Sequence, residues 1–162
     1  MNQLVFEAAY EAATRAFGAA LAEVLPLGTT VALRGTLGAG KTRLVQAVAA
    51  ACGVPEGEVI SPSFVLVQEY SGQRQLYHID AYRLRDEQEF LELGPEEYFD
   101  SPAITFVEWA DRVAQCLPQQ RLEIDIEVTG PHSRRFAISA SGAALQDVPR
   151  KLEQLLRERG LV

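Results

Sequence analysis

Residues Leu33–Thr42, LRGTLGAGKT, place three glycines in six positions and then a lysine and a hydroxyl, directly after an apolar run. Gly35, Gly40, Lys41 and Thr42 fit the spacing G-x-x-x-x-G-K-[ST], which is meaningful only between a strand and a helix. Thr29 to Arg34 reads as a strand, and Lys41 to Cys52 reads as a helix ended by Gly53 and Pro55. The constraint on the fold is therefore severe: a buried strand must turn sharply into a helix whose N-terminus faces the loop.

The remaining elements follow from periodicity. A brief strand is expected near Leu4 to Phe6, and Ala8 to Leu25 carries apolar residues at helical spacing up to Pro26. Phe64 to Tyr70 and Gln75 to Asp80 flank SGQR as a hairpin. An acidic helix is expected from Arg85 to Leu93, stopping at Gly94-Pro95, then a buried strand from Ile104 to Glu108 and a short helix from Asp111 to Leu117. Leu122 to Val128 and Arg134 to Ser139 alternate as paired strands, and a last helix starts near Asp147 with Pro149 in its first turn. Strands alternating with helices predict an α/β fold, and the hairpins make its sheet mixed. With 162 residues and no internal repeat or linker, one core is expected across residues 1–162.

The loop predicts a phosphate site. Glycines let successive backbone N–H groups turn inward, and the helix N-terminus adds its partial positive charge. Lys41 is expected to reach the β- and γ-phosphates, and the Thr42 hydroxyl to ligate Mg²⁺ between them. The plain alternative is a glycine-rich turn that binds nothing. An N-K-x-D segment for reading guanine is missing, the one asparagine being Asn2, so adenine is the expected base.

Phosphate chemistry with Mg²⁺ also needs a carboxylate at the mouth of a neighbouring strand. LYHID ends in Asp80 and ITFVE ends in Glu108. One acid is expected to help hold Mg²⁺ and the other to orient water or sense the γ-phosphate, and the residues alone do not assign the two roles. ISPSF, with Ser61 and Ser63, is a candidate sensing loop or an ordinary proline turn. Strand alternation puts Trp109 opposite Glu108 or at the strand edge, as core or as a binding anchor. Arg83 and Arg112 could pair with the two acids or with phosphates, a solvated side chain being expected for Arg112. His78 and His132 are expected to be structural or exposed.

A formal charge of −7 disfavours direct nonspecific binding to nucleic acid. Glu7 and Glu11 interrupt the first apolar stretch, so neither a secretory signal nor a membrane span is expected. Cys52 and Cys116 lack a CxxC partner and read as buried thiols of a reducing cytoplasm.

GTLGAGKT, SPSF, HIDAYRL and VEWADR, in that order over Thr30 to Arg112, resemble the TsaE (YjeE) family of bacterial P-loop ATPases. The resemblance implies a single-domain P-loop NTPase with a central mixed sheet flanked by helices. It implies a cytoplasmic ATPase of tRNA threonylcarbamoyladenosine (t6A) modification, at the adenosine next to the anticodon. The family acts with TsaD and TsaB, contacting tRNA only indirectly and no membrane; transfer of the threonylcarbamoyl group belongs to TsaD. Carried onto this chain, Gly35, Thr36, Leu37, Gly38, Ala39, Gly40, Lys41, Thr42 and Arg43 bind ATP or ADP. Thr42 and Glu108 hold Mg²⁺, Asp80 is a further acid needed for turnover, and Trp109 adjoins the site. Lys41, Asp80 and Glu108 form the catalytic set. The family's S-P-T-F is Ser61-Pro62-Ser63-Phe64 here, so Ser63 keeps the nucleotide-facing hydroxyl without the methyl. Because no arginine finger is identifiable, isolated hydrolysis is expected to be slow. A small-molecule kinase and a non-hydrolytic nucleotide switch are the alternatives.

Overall fold

The computed structural model describes residues 3–36, 38–55, 57–59 and 66–162. Seven strands form one sheet: β1 (Gln3–Ala8), β2 (Thr30–Arg34), β3 (Val67–Ser71), β4 (Gln75–Asp80), β5 (Ile104–Glu108), β6 (Arg121–Val128) and β7 (Arg134–Ser141). Their order is β1-β7-β6-β2-β5-β4-β3. The four central strands β6, β2, β5 and β4 run parallel, whereas β3 and β7 join them antiparallel and β1 pairs antiparallel with β7. The expected mixed sheet is therefore a parallel centre extended by a hairpin on each side, with β1 outermost beside β7.

The burial pattern follows this layout. β5 is buried at all five positions, as a central parallel strand must be. β1 at the edge alternates exposed and buried, with Leu4, Phe6 and Ala8 turned inward. That alternation carries β1 to Ala8, so helix α1 (Glu11–Val24) starts three residues later than the Ala8 expected from spacing.

Both sheet faces are covered. On one, α1, α2 (Lys41–Ala51) and α5 (Val148–Glu158) pack over Leu33, Leu122 and Phe136, with Phe17 stacked between Phe6 and Phe136 at 5.0 and 4.8 Å. At Gly18 a Cβ would lie 2.4 Å from Ala47 Cβ, so glycine there lets α1 and α2 touch backbone to backbone. On the other face Ile79, Val107, Phe90 and Val113 form a smaller cluster.

That second face departs most from the sequence reading. The expected Arg85–Leu93 helix shrinks to α3 (Glu87–Leu91), because the Asp86 side chain caps it at Glu89 N, 2.9 Å away, and Gly94 ends the segment at φ +67°. A further turn, α4 (Glu96–Phe99), follows directly, with Pro95 supplying the helical φ at its start. Residues Ala110–Cys116 form a 3-10 segment kinked at Val113 rather than an α-helix. Cys52 is buried as expected, whereas Cys116 is only half-buried, its thiol donating to Glu87. Among the described residues no helix is long and apolar enough to cross a membrane.

Candidate functional site

Parallel strands deliver their C-terminal ends to one edge, and three of them meet here. Glu108 lies in register with Leu33 of β2 on one side and Asp80 of β4 on the other. The glycine loop leaves β2 just beyond that row, so the loop and both acids share the sheet's carboxyl edge, where α/β folds place ligands.

The loop's shape depends on its glycines. A Cβ on Gly35 would lie 2.8 Å from the Ile126 carbonyl oxygen, so no other residue fits between β2 and β6. Gly38 and Gly40 stand at φ +80° and +109°, in the left-handed region. Gly40 begins α2 without a side-chain cap, leaving the first-turn N–H groups of Lys41, Thr42 and Arg43 facing the loop. From the far side Arg134 braces the turn: its Nε donates to Ala39 O at 2.8 Å while Nη1 holds the carbonyls of Gly130 and Ser133. Nothing in the chain's local pattern marks Arg134, which reaches the loop only because β7 pairs with β6. Leu37 lies outside the described residues, as do Ser61 and Ser63 of the candidate sensing loop.

Lys41 folds back over this turn. Its Nζ donates to the carbonyls of Gly35 and Thr36 at 2.8 and 2.9 Å and sits 4.0 Å from the Trp109 ring centroid. Burial pushes its pKa below the ordinary lysine value, opposed by the charges of Glu108, Asp80 and Asp111. The Thr42 hydroxyl donates to Glu108 Oε2 at 2.9 Å, which brings together the two residues expected to hold a metal. Asp80 Oδ1 accepts the Tyr82 N–H at 2.9 Å, and burial raises its pKa against that hydrogen bond. Lys41, Asp80 and Glu108 are 4, 7 and 4% exposed, so three opposing charges lie together in a site shielded from water.

Of the two placements expected for Trp109, the strand edge is the one found: at φ +59° it leaves the strand, alternation stops applying, and its ring turns over Lys41 and against Tyr82 at 4.8 Å, next to the site as the resemblance implied. Arg112 is exposed but not simply solvated, since it donates to the carbonyls of Tyr82 and Leu84 and ties the segment after β5 to the turn after β4. Sequence reading also missed a role for His78, which is fully buried against Glu108. The signal was present in H-I-D: residues two apart on a strand share a face, so His78 had to lie on the side of Asp80.

Among the described residues no group of three His, Cys, Asp or Glu side chains is placed to hold a metal alone. Thr42 and Glu108 instead offer two oxygens, which suits Mg²⁺ when phosphate and water oxygens complete its shell. Along the flank of α2, from Gly40 to Ala50, a cavity of about 510 Å³ opens beside Arg43, Glu11, Thr14, His132 and Arg134. Arg43 is ion-paired with Glu11 at 2.6 Å on its wall.

Comparison with known proteins agrees with this fold. The model of the family described as threonylcarbamoyl adenosine biosynthesis protein TsaE matches residues 8–136. The tRNA threonylcarbamoyladenosine biosynthesis protein TsaE of Bacillus subtilis is 37% identical over 143 residues, covering 88% of this chain and 89% of that protein. The TsaE protein of Synechocystis is 49% identical over 114 residues, covering 67% and 70%. The crystal structure of Bacillus subtilis YdiB superposes with a TM-score of 0.78 at 31% identity, over 97% of this chain and 96% of that one. Matched along most of its length in sequence and in fold, the chain belongs to the TsaE family.

Proposed function

We propose that this chain is the ATP-binding and ATP-hydrolysing component of bacterial tRNA threonylcarbamoyladenosine modification, a cytoplasmic protein that acts with TsaD and TsaB and meets tRNA only through them. The observation that carries the reading is the convergence of the glycine loop, Lys41, the Thr42–Glu108 pair and Asp80 on one sheet edge.

In this reading the N–H groups of the loop and of the first turn of α2 bind the phosphates, and Lys41 exchanges the carbonyls of Gly35 and Thr36 for phosphate oxygens. The cavity beside Arg43, Glu11, Thr14 and His132 takes the adenosine end. Thr42 and Glu108 would hold Mg²⁺, which when bound neutralises charge on the β- and γ-phosphates. We assign Glu108 to the metal because the Thr42 hydroxyl bonds it and not Asp80. Asp80 has one oxygen on the Tyr82 N–H, and its other oxygen is assigned to orienting the attacking water.

Dependence on partners has a physical basis. Arg34 is paired with Glu123 and Asp125, Arg43 with Glu11, Arg112 with two carbonyls and Arg134 with the loop. Each of these four is engaged elsewhere in this structure, and a cationic group from a partner would complete the site. Calorimetric titration with MgATP and MgADP tests the base of this proposal. One saturable site is expected for each, and the absence of heat from both would remove it.

A further inference from the structure

His78 is the polar group on this sheet face that the proposed chemistry does not use. Its side chain is fully buried on β4, two residues before Asp80 and in register with Phe106 of β5. Its Nε2 contacts Glu108 Oε2, the same oxygen that accepts the Thr42 hydroxyl. An ionised carboxylate only accepts hydrogen bonds, so Nε2 carries the hydrogen. Nδ1 is then left without a partner, the only buried side-chain nitrogen or oxygen in that condition among the described residues.

An unpaired buried nitrogen is costly, and a phenyl ring of similar size would fill the same space without that cost. A purely packing role therefore gives no reason for an imidazole here, whereas its paired nitrogen has a definite target. Glu108 is also drawn by the Lys41 ammonium, so without a fixed donor its carboxylate has a competing orientation.

We propose that His78 is a positioning residue whose Nε2–H fixes the Glu108 carboxylate beside the Thr42 hydroxyl, presenting both oxygens together to the Mg²⁺ of a magnesium nucleotide. The proposal rests on the nucleotide reading above. Outer donors of this kind, when removed, reduce metal affinity by about 10- to 100-fold.

The test compares ADP affinity in Mg²⁺ and in EDTA for wild type, His78→Phe and His78→Gln, the glutamine amide retaining an N–H near the Nε2 position. In His78→Phe the Mg²⁺-dependent gain in affinity should fall about tenfold with affinity in EDTA unchanged, and His78→Gln should recover most of it. Added to Glu108→Gln, the phenylalanine should have no further effect. Equal losses in Mg²⁺ and EDTA, or identical behaviour of the two His78 variants, would overturn the positioning role. A ¹⁵N spectrum of the nucleotide-free protein is a separate readout: the hydrogen should reside on Nε2, and its resonance should move in Glu108→Gln. Hydrogen on Nδ1 would overturn the proposal even if His78→Phe failed to fold. No effect of Mg²⁺ on wild-type ADP affinity would instead remove the nucleotide reading, with the spectrum still deciding the His78–Glu108 contact.

Discussion

Lys41→Ala should lower the affinity for MgATP by about a hundredfold or more, which corresponds to losing two charge-assisted hydrogen bonds of about 1.5 kcal/mol each. The magnitude follows from what surrounds the ammonium. Glu108, Asp80 and Asp111 all act on it, and it donates to the carbonyls of the glycine loop. Once it is removed, an anionic nucleotide approaches three carboxylates with only loop N–H groups and Mg²⁺ to offset them. Lys41→Arg should not restore binding, because a longer, planar guanidinium spreads its charge and cannot put a compact ammonium where the Gly35 and Thr36 carbonyls and the Trp109 ring converge. Calorimetry on both variants, with melting temperatures to verify folding, checks this. Near-wild-type affinity in Lys41→Ala would mean that the loop amides alone hold the phosphates.

Asp80→Asn should have opposite effects on turnover and stability. If Asp80 orients the attacking water as proposed, its loss is expected to slow hydrolysis by about a hundredfold or more. The asparagine oxygen can still accept the Tyr82 N–H, so the turn after β4 is kept. Stability should rise. Burial raises the pKa of Asp80 in the folded protein, so its ionisation favours the unfolded state, where the carboxyl is hydrated. The penalty begins as pH climbs through the ordinary aspartate range near about 4 and is complete above the raised folded-state value. In the absence of Mg²⁺ and nucleotide, Asp80→Asn should therefore melt above wild type at neutral pH, with the difference vanishing in acid. A variant that melts below wild type at neutral pH would show that the charge of Asp80 supports the fold.

Such a site can be read from sequence where local pattern and chemistry coincide. β4 and β5 run from Gln75 to Asp80 and from Ile104 to Glu108, the bounds expected from apolar runs each ending in an acid. The acids could be foreseen at a strand mouth because a buried strand can place a charge only where the sheet ends. The division of labour proposed for them could not: it rests on the Thr42 hydroxyl reaching Glu108 across 66 residues of chain.

His78 was legible only as sharing a face with Asp80, and Arg134 not at all, for the same reason. Their contacts arise from the β4–β5 and β6–β7 registers, which no short window encodes. Alternation left Trp109 two placements because it assumes a continuing strand, and the single left-handed residue that ends β5 decides for the edge. On the second face α4 was missed because Gly94-Pro95 reads as a stop, although proline also suits the first turn of a new helix.

In the proposed function the chain holds ATP by itself and needs partner proteins to hydrolyse it usefully. Phosphate release from MgATP, measured for the protein alone and then with purified TsaB and TsaD, tests it most directly. Slow release alone, strong stimulation by the two proteins together and loss of that stimulation in Lys41→Ala are predicted. Equal turnover with and without them would contradict the account and make the chain an autonomous enzyme.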